Sequence, residues 1–131
     1  MKVTEEYAKK LYRQIRSVRP VIHCITNTVT VNDCANVLLA CGASPTMAHH
    51  PAEVAEITSA ASALVCNLGA TENYDAMVNA CKAAGEVKHP VVIDPVGISG
   101  SAYRRNFINE LIKINTPACI RGNYSEIRAL M

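Results

Sequence analysis

The sequence predicts an α/β fold, a mostly parallel sheet flanked by helices on both faces. Three observations carry this. Short apolar runs alternate with longer runs of helical period along the whole chain. The apolar runs are solid rather than alternating, as in strands buried on both faces. Almost every such run is followed by glycine or polar residues, the composition of connections leaving one edge of a sheet.

The elements follow in order. Residues 4–18 carry Tyr7, Ala8, Leu11, Tyr12, Ile15 and Val18 at helical spacing, with Glu5 and Glu6 in the first turn and Pro20 beyond the end. Residues 21–26 form an apolar strand. A helix over about 30–41 carries Val31, Cys34, Ala35, Leu38 and Cys41 on one face and stops at Gly42. Residues 45–48 are a short strand, and Pro51 stands where a first helical turn tolerates proline, before Glu53, Val54 and Ile57. Residues 63–68 are a strand. Thr71 is the expected N-cap of a helix bearing Tyr74, Met77, Val78 and Cys81 and stopping near Gly85. Val91-Val92-Ile93 is the clearest buried strand. Phe107, Ile108, Leu111 and Ile112 mark a helix over about 103–114, and 117–120 is another strand. Asn123 with Glu126 three residues on reads as a capping box opening one more helix. Its apolar pattern through Ile127, Ala129, Leu130 and Met131 is still running at the last residue, so residues 1–131 are expected to be the N-terminal part of a single, incomplete domain.

Composition narrows the functional classes. The 131 residues suffice for one core and not for two ordinary domains. With 50% hydrophobic residues, 18% charged and a formal charge of +2, the chain reads as globular, and its scattered Lys and Arg argue against a nucleic-acid partner. No apolar run approaches the roughly 20 residues of a membrane span. Met1 to Glu6 are not backed by an apolar stretch, so no leader and a cytoplasmic location are expected. Six cysteines could suggest disulfides, but none forms a C-x-x-C pair. Cys24, Cys66 and Cys119 lie in expected buried strands, and Cys34, Cys41 and Cys81 on apolar helix faces.

Candidate chemistry collects behind the strands. Asp94 ends an otherwise apolar strand, where a carboxylate is costly unless paired, hydrogen-bonded or on a metal. It reads as a Mg²⁺ or Mg-water ligand, or alternatively as a helix cap or turn former. Arg121 ends a strand and suits phosphate oxygens. Glu126 either faces the same edge as a second hard-cation ligand or is used by the capping box. Two carboxylates with one arginine suit Mg²⁺, which keeps water and phosphate ligands, and point to phosphoryl transfer. Neither a P-loop nor a G-x-G-x-x-G fingerprint is present. His23 is expected to be buried with one hydrogen bond. The adjacent His49 and His50 read as loop residues, and Met47, at a strand end, reads as core.

These segments together resemble one family. Val21-Ile22-His23-Cys24-Ile25-Thr26-Asn27-Thr28-Val29-Thr30 and Gly42-Ala43-Ser44-Pro45-Thr46-Met47-Ala48 look like the opening of hydroxyethylthiazole kinases. Asn67-Leu68-Gly69, Asp94-Pro95-Val96-Gly97 and Ile120-Arg121-Gly122-Asn123 with Ser125-Glu126 continue the series in order. The resemblance implies a ribokinase-like fold, a homotrimer with sites between subunits, and ATP- and Mg²⁺-dependent phosphorylation of 4-methyl-5-(2-hydroxyethyl)thiazole in thiamine salvage. It implies that Asn27, Met47 and Gly69 touch the thiazole, Arg121 touches ATP phosphates, and Asp94 and Glu126 serve Mg²⁺. The residue that activates the substrate hydroxyl and a glycine-rich anion hole belong to the family's second half, so no catalytic residue is assigned within this chain. The alternative is an incomplete half-domain that binds thiazole or oligomerises without turnover. A departure falls in the loop, where the family usually reads Asp-Pro-Val-Gly-Ala-Gly-Ala. Ile98 and Ser99 replace its Ala and Gly, so a positive φ at Ser99 would mean strain or a rebuilt loop.

Overall fold

A computed structural model describes residues 4–131; Met1, Lys2 and Val3, part of the stretch read above for a leader, lie outside the described residues. The elements run α1 (Glu5–Val18), β1 (Val21–Ile25), α2 (Val31–Cys41), β2 (Ser44–Thr46), α3 (Val54–Ala60), β3 (Ala63–Asn67), α4 (Tyr74–Glu86), β4 (Val91–Asp94), α5 (Ala102–Ile114), β5 (Cys119–Ile120) and α6 (Tyr124–Arg128). All five strands are parallel, in the order β2-β1-β3-β4-β5.

Two expected helix starts shift. Pro51 lies in a turn closed by the amides of Glu53 and Val54 on the His50 carbonyl, and α3 begins only at Val54. Thr71 opens a single 3-10 turn over Thr71–Asn73 instead of capping α4, which starts at Tyr74. The capping box is present as read: the Asn123 side chain accepts from the Glu126 amide, and the Glu126 side chain accepts from the Asn123 amide.

Strand register explains the burial. Ile25, Cys66, Ile93 and Ile120 lie side by side across the sheet on the face covered by α3, α4 and α5. Leu64, Met77, Ala80, Ile93, Ile108 and Leu111 form the core there and are fully buried. The opposite row, Cys24, Val65, Val92 and Cys119, faces α2 only at its β1 end. Cys119 is therefore exposed, against the expectation of a buried strand cysteine. The apolar stripe of α1 likewise stays in contact with solvent. Tyr7, Leu11 and Tyr12 are each more than a third exposed, and α1 is tied to α2 through Arg16 and Tyr12 on the Ala40 carbonyl. All six cysteines are free thiols.

Candidate active site

In a parallel sheet of this order the chain leaves β1 toward β2 and later returns on its other side as β3. The loops beyond β1 and β3 therefore diverge and open a crevice at the carboxyl edge. Asn27 stands on one side of it. Its Oδ1 accepts from the amides of Val29 and Thr30, both at 3.0 Å, and from the Thr30 hydroxyl at 3.1 Å. Gly69 stands on the other, its amide donating to Asn67 Oδ1 at 2.8 Å. A Cβ at Gly69 would come within 2.8 Å of Asn67 Oδ1 and 3.2 Å of Asn27 Nδ2. Two of the three residues expected at the thiazole, Asn27 and Gly69, are thus neighbours, in a contact that a larger side chain at 69 would tighten.

Met47 lies just past β2, lining a cavity of about 430 Å³ with Cys24, Thr26, Thr28, Val31 and Glu72. A second cavity, about 510 Å³, opens over the half-covered sheet face. Its floor is Cys24 and Val65, α2 contributes Val37 and Leu38, and its rim holds Asn67, Asp94 and Arg121. Cys24 and Thr26 line both cavities, so the Met47 side and the Asp94 side meet along the end of β1. Burial pushes the Cys24 thiol up to about 11, with the neighbouring Cys34 adding to the rise. A thiol held protonated is a poor nucleophile, so Cys24 serves as wall.

Asp94 ends β4 and Arg121 directly follows β5, each one residue beyond the Ile93–Ile120 pair, and Arg121 Nη1 lies 3.5 Å from Asp94 Oδ2. The pair is long and unequal: the Arg121 side chain is 80% exposed and the Asp94 side chain 24%. Burial raises the Asp94 carboxyl above its ordinary value; Arg121 draws it down, and the negative charge of Glu126 pushes it up again. Asp94 is therefore an under-compensated carboxylate with a second carboxylate nearby, an arrangement that favours a cation. Among the described residues no three His, Cys, Asp or Glu side chains converge to hold a metal unaided. The donor set fits a hard cation that keeps water and phosphate oxygens among its ligands.

Glu126 is buried and doubly engaged. Its Oε2 accepts from the Asn123 amide at 2.9 Å, and its Oε1 accepts from the Gly97 amide at 3.1 Å. The capping box and a tie to the Asp94 loop thus use the same side chain. Each oxygen retains a second lone pair, so the two roles weighed for this residue are compatible through a bridging water.

The loop after Asp94 is held from the other side by two residues sequence reasoning missed. Arg104 Nη1 donates to the Val96 carbonyl at 3.0 Å, and Arg105 Nη1 to the carbonyls of Ile98 at 2.7 Å and Ser99 at 3.1 Å. A signal existed: two arginines in the first turn of a helix oppose the helix dipole, so a specific task is implied. The positive φ in this loop falls on Gly97, at 73°, where Arg104 Nη1 lies 2.6 Å from the position of a Cβ. Ser99 is not in that region, so the strained alternative is not realised; Ile98 is fully buried and anchors the loop in the core.

His49 and His50 are exposed loop residues as read, bonded locally to the Met47 carbonyl and the Ala52 amide. His23 departs from its reading: it is fully buried with two hydrogen bonds instead of one.

The chain and its fold have known relatives. The hydroxyethylthiazole kinase family model matches residues 12–131. A hydroxyethylthiazole kinase of Alkaliphilus metalliredigens is 45% identical over 128 residues, covering 96% of this chain and 47% of its own length. One of Clostridium acetobutylicum is 49% identical over 124 residues, covering 93% and 45%. The solved structure of a hydroxyethylthiazole kinase protein from Pyrococcus horikoshii OT3 superposes with a TM-score of 0.90 at 37% identity, over 95% of this chain and 50% of that one. The chain spans about half the length of the relatives it matches. With a family model that reaches from α1 to the last residue, the chain belongs to the hydroxyethylthiazole kinase family.

Proposed function

We propose that this chain supplies the acceptor-binding and metal-facing part of an ATP- and Mg²⁺-dependent kinase. The reaction passes the γ-phosphoryl of ATP to the hydroxyethyl oxygen of 4-methyl-5-(2-hydroxyethyl)thiazole, a thiamine salvage step. A new O–P bond forms as the bond from the γ-phosphorus to the β,γ-bridging oxygen breaks, ADP leaves with that oxygen, and the hydroxyl proton passes to solvent. One observation carries the reading: the Met47 cavity and the Asp94–Arg121 cavity adjoin through Cys24 and Thr26, so an alcohol on one side can face a phosphate on the other.

In this reading Met47, Asn27 and Gly69 contact the thiazole and Arg121 the ATP phosphates. Arg121 can do so because its one contact with Asp94 is long, at 3.5 Å, and its side chain is exposed. Asp94 would hold Mg²⁺, and Glu126, whose two oxygens already accept amide hydrogens, would support it through water. The bound cation would neutralise charge on the phosphates. The residues 1–131 act as the N-terminal part of one kinase domain, in a cytoplasmic homotrimer. No helix among the described residues is long and apolar enough to cross a membrane, and the small net charge gives no support to a nucleic-acid partner.

Release of ADP in the presence of the thiazole alcohol tests the proposal, with this chain alone and mixed with the remaining half of the Clostridium acetobutylicum relative. Turnover in the mixture is the expected result; none in either sample overturns the kinase reading. A second reading, a thiazole-binding or oligomerising module without turnover, draws support from the double engagement of Glu126, which leaves Asp94 as the sole carboxylate without an amide partner in the cluster. Calorimetry separates the two: thiazole binding with no ADP release favours the module.

A further inference from the structure

We propose that His23 is a positioning residue that fixes the Met47 segment against the acceptor cavity. This rests on the reading that Met47 touches the thiazole.

Strand β2 is three residues long and lies at the sheet edge, and its pairing with β1 ends where Thr46 stands opposite His23. Met47 and Ala48 follow immediately, half-buried but past the ladder. At that point the His23 side chain takes over. Its Nε2 lies 2.8 Å from the Ala48 carbonyl and its Nδ1 2.7 Å from the Thr58 hydroxyl of α3. A carbonyl can only accept, so Nε2 carries the hydrogen. Nδ1 is then bare and accepts from Thr58. Both His23 and Thr58 have no exposed surface, so water cannot substitute for either partner.

The ring therefore bridges α3 and the first residues beyond β2. It holds the carbonyl one residue after Met47, where regular sheet bonding has stopped. A fully buried histidine needs partners for its ring nitrogens in any case; what bears on the site is that one partner is the Ala48 carbonyl, just past the last β2 pair. His23 does not line the Met47 cavity, so it acts through the backbone and not on the ligand.

Three measurements on the 131-residue chain test this. First, a long-range proton–nitrogen spectrum at neutral pH should show His23 protonated on Nε2 and bare on Nδ1; the opposite tautomer overturns the proposal. Second, amide exchange over residues 47–50 should quicken about tenfold in His23→Leu, the scale of one lost buried hydrogen bond. His23→Gln, whose amide can still reach Ala48, should bring it back to within about threefold. Unchanged exchange there, or an equal rise across β3 and β4, overturns it.

Third, titration with the thiazole alcohol should show affinity falling about tenfold in His23→Leu and recovering in His23→Gln. Loosened exchange with unchanged affinity overturns the link to the acceptor. If the unaltered chain binds no thiazole, the substrate reading is what fails; the tautomer and the exchange pattern still decide whether His23 positions the segment.

Discussion

At the scale of single residues, Asp94 carries opposed demands. Its carboxylate ends a strand, half-buried, with Arg121 too far to compensate it well and Glu126 adding like charge. Such a group costs stability and is retained where a cation or reacting charge must be met. Replacing it with asparagine should move two measurements in opposite directions. Thermal unfolding should show a fold more stable by about 0.5–1 kcal/mol, the usual gain when a strained functional group is removed. In the ADP-release assay with the completed enzyme, kcat should fall by about 10²-fold or more, the scale of losing one electrostatic stabiliser. A kcat near that of the unaltered enzyme would exclude the metal role. Gly69 poses a simpler test. A methyl group there would stand 2.8 Å from Asn67 Oδ1 and 3.2 Å from Asn27 Nδ2. Gly69→Ala should weaken thiazole binding by about tenfold or more, because Asn67 must leave its place on the Gly69 amide and Asn27 must give way beside it; calorimetry checks it.

At the scale of elements, the site depends on how the β4–α5 loop is tied. Glu126 reaches it from α6, and Arg104 and Arg105 reach it from α5. Glutamine in place of Glu126 can accept from one of the two amides, while its NH₂ faces the other. Glu126→Gln should therefore cost about 1–3 kcal/mol in urea unfolding, the penalty for a buried donor left unmet. The capping box was readable because Asn123 and Glu126 are local in sequence. The second bond, from Gly97 across 29 positions, was not, since nothing in local spacing encodes it. The same contrast runs through the fold. Val91 to Ile93 was legible as a strand because its residues are β-branched and apolar. The fate of Cys119 and of the α1 stripe was not, because each depends on what covers a face. Apolar periodicity says which side of an element avoids water, but not whether a neighbour arrives. That Asp94 and Arg121 come together at the carboxyl edge was legible from their place after neighbouring apolar runs. Asn27 and Gly69 came from family resemblance, and Arg104 and Arg105 went unseen although their place in a helix first turn marks them.

At the scale of the whole molecule, the buried polar groups set how stability follows pH, and the signs can be worked out in advance. Burial lowers the proton affinity of His23 below the ordinary value of 6.5, although the Ala48 carbonyl and the charge of Glu53 oppose the shift. The unfolded chain therefore binds a proton at His23 that the folded chain refuses. As pH falls from about 6.5 through the lowered folded value, His23 alone makes folding less favourable, with a slope of at most about 1.4 kcal/mol per pH unit. Asp94 works the other way and further into acid. Its folded value is raised above 3.8, so the folded chain takes up its proton first and gains stability as pH falls through that window. Urea unfolding followed from pH 7.5 to 4 should thus show a loss that begins near 6.5 and slackens as Asp94 protonates. His23→Gln should flatten the first limb and leave the second, and Asp94→Asn should do the reverse. The two positions meet different elements, His23 bonding to α3 and the β2 end, Asp94 to Arg121 beyond β5, so the double variant should show the sum of the two changes within about 0.5 kcal/mol. A first limb that survives His23→Gln would mean that another group carries the proton, and the assignment of His23 as a buried neutral ring would fall with it.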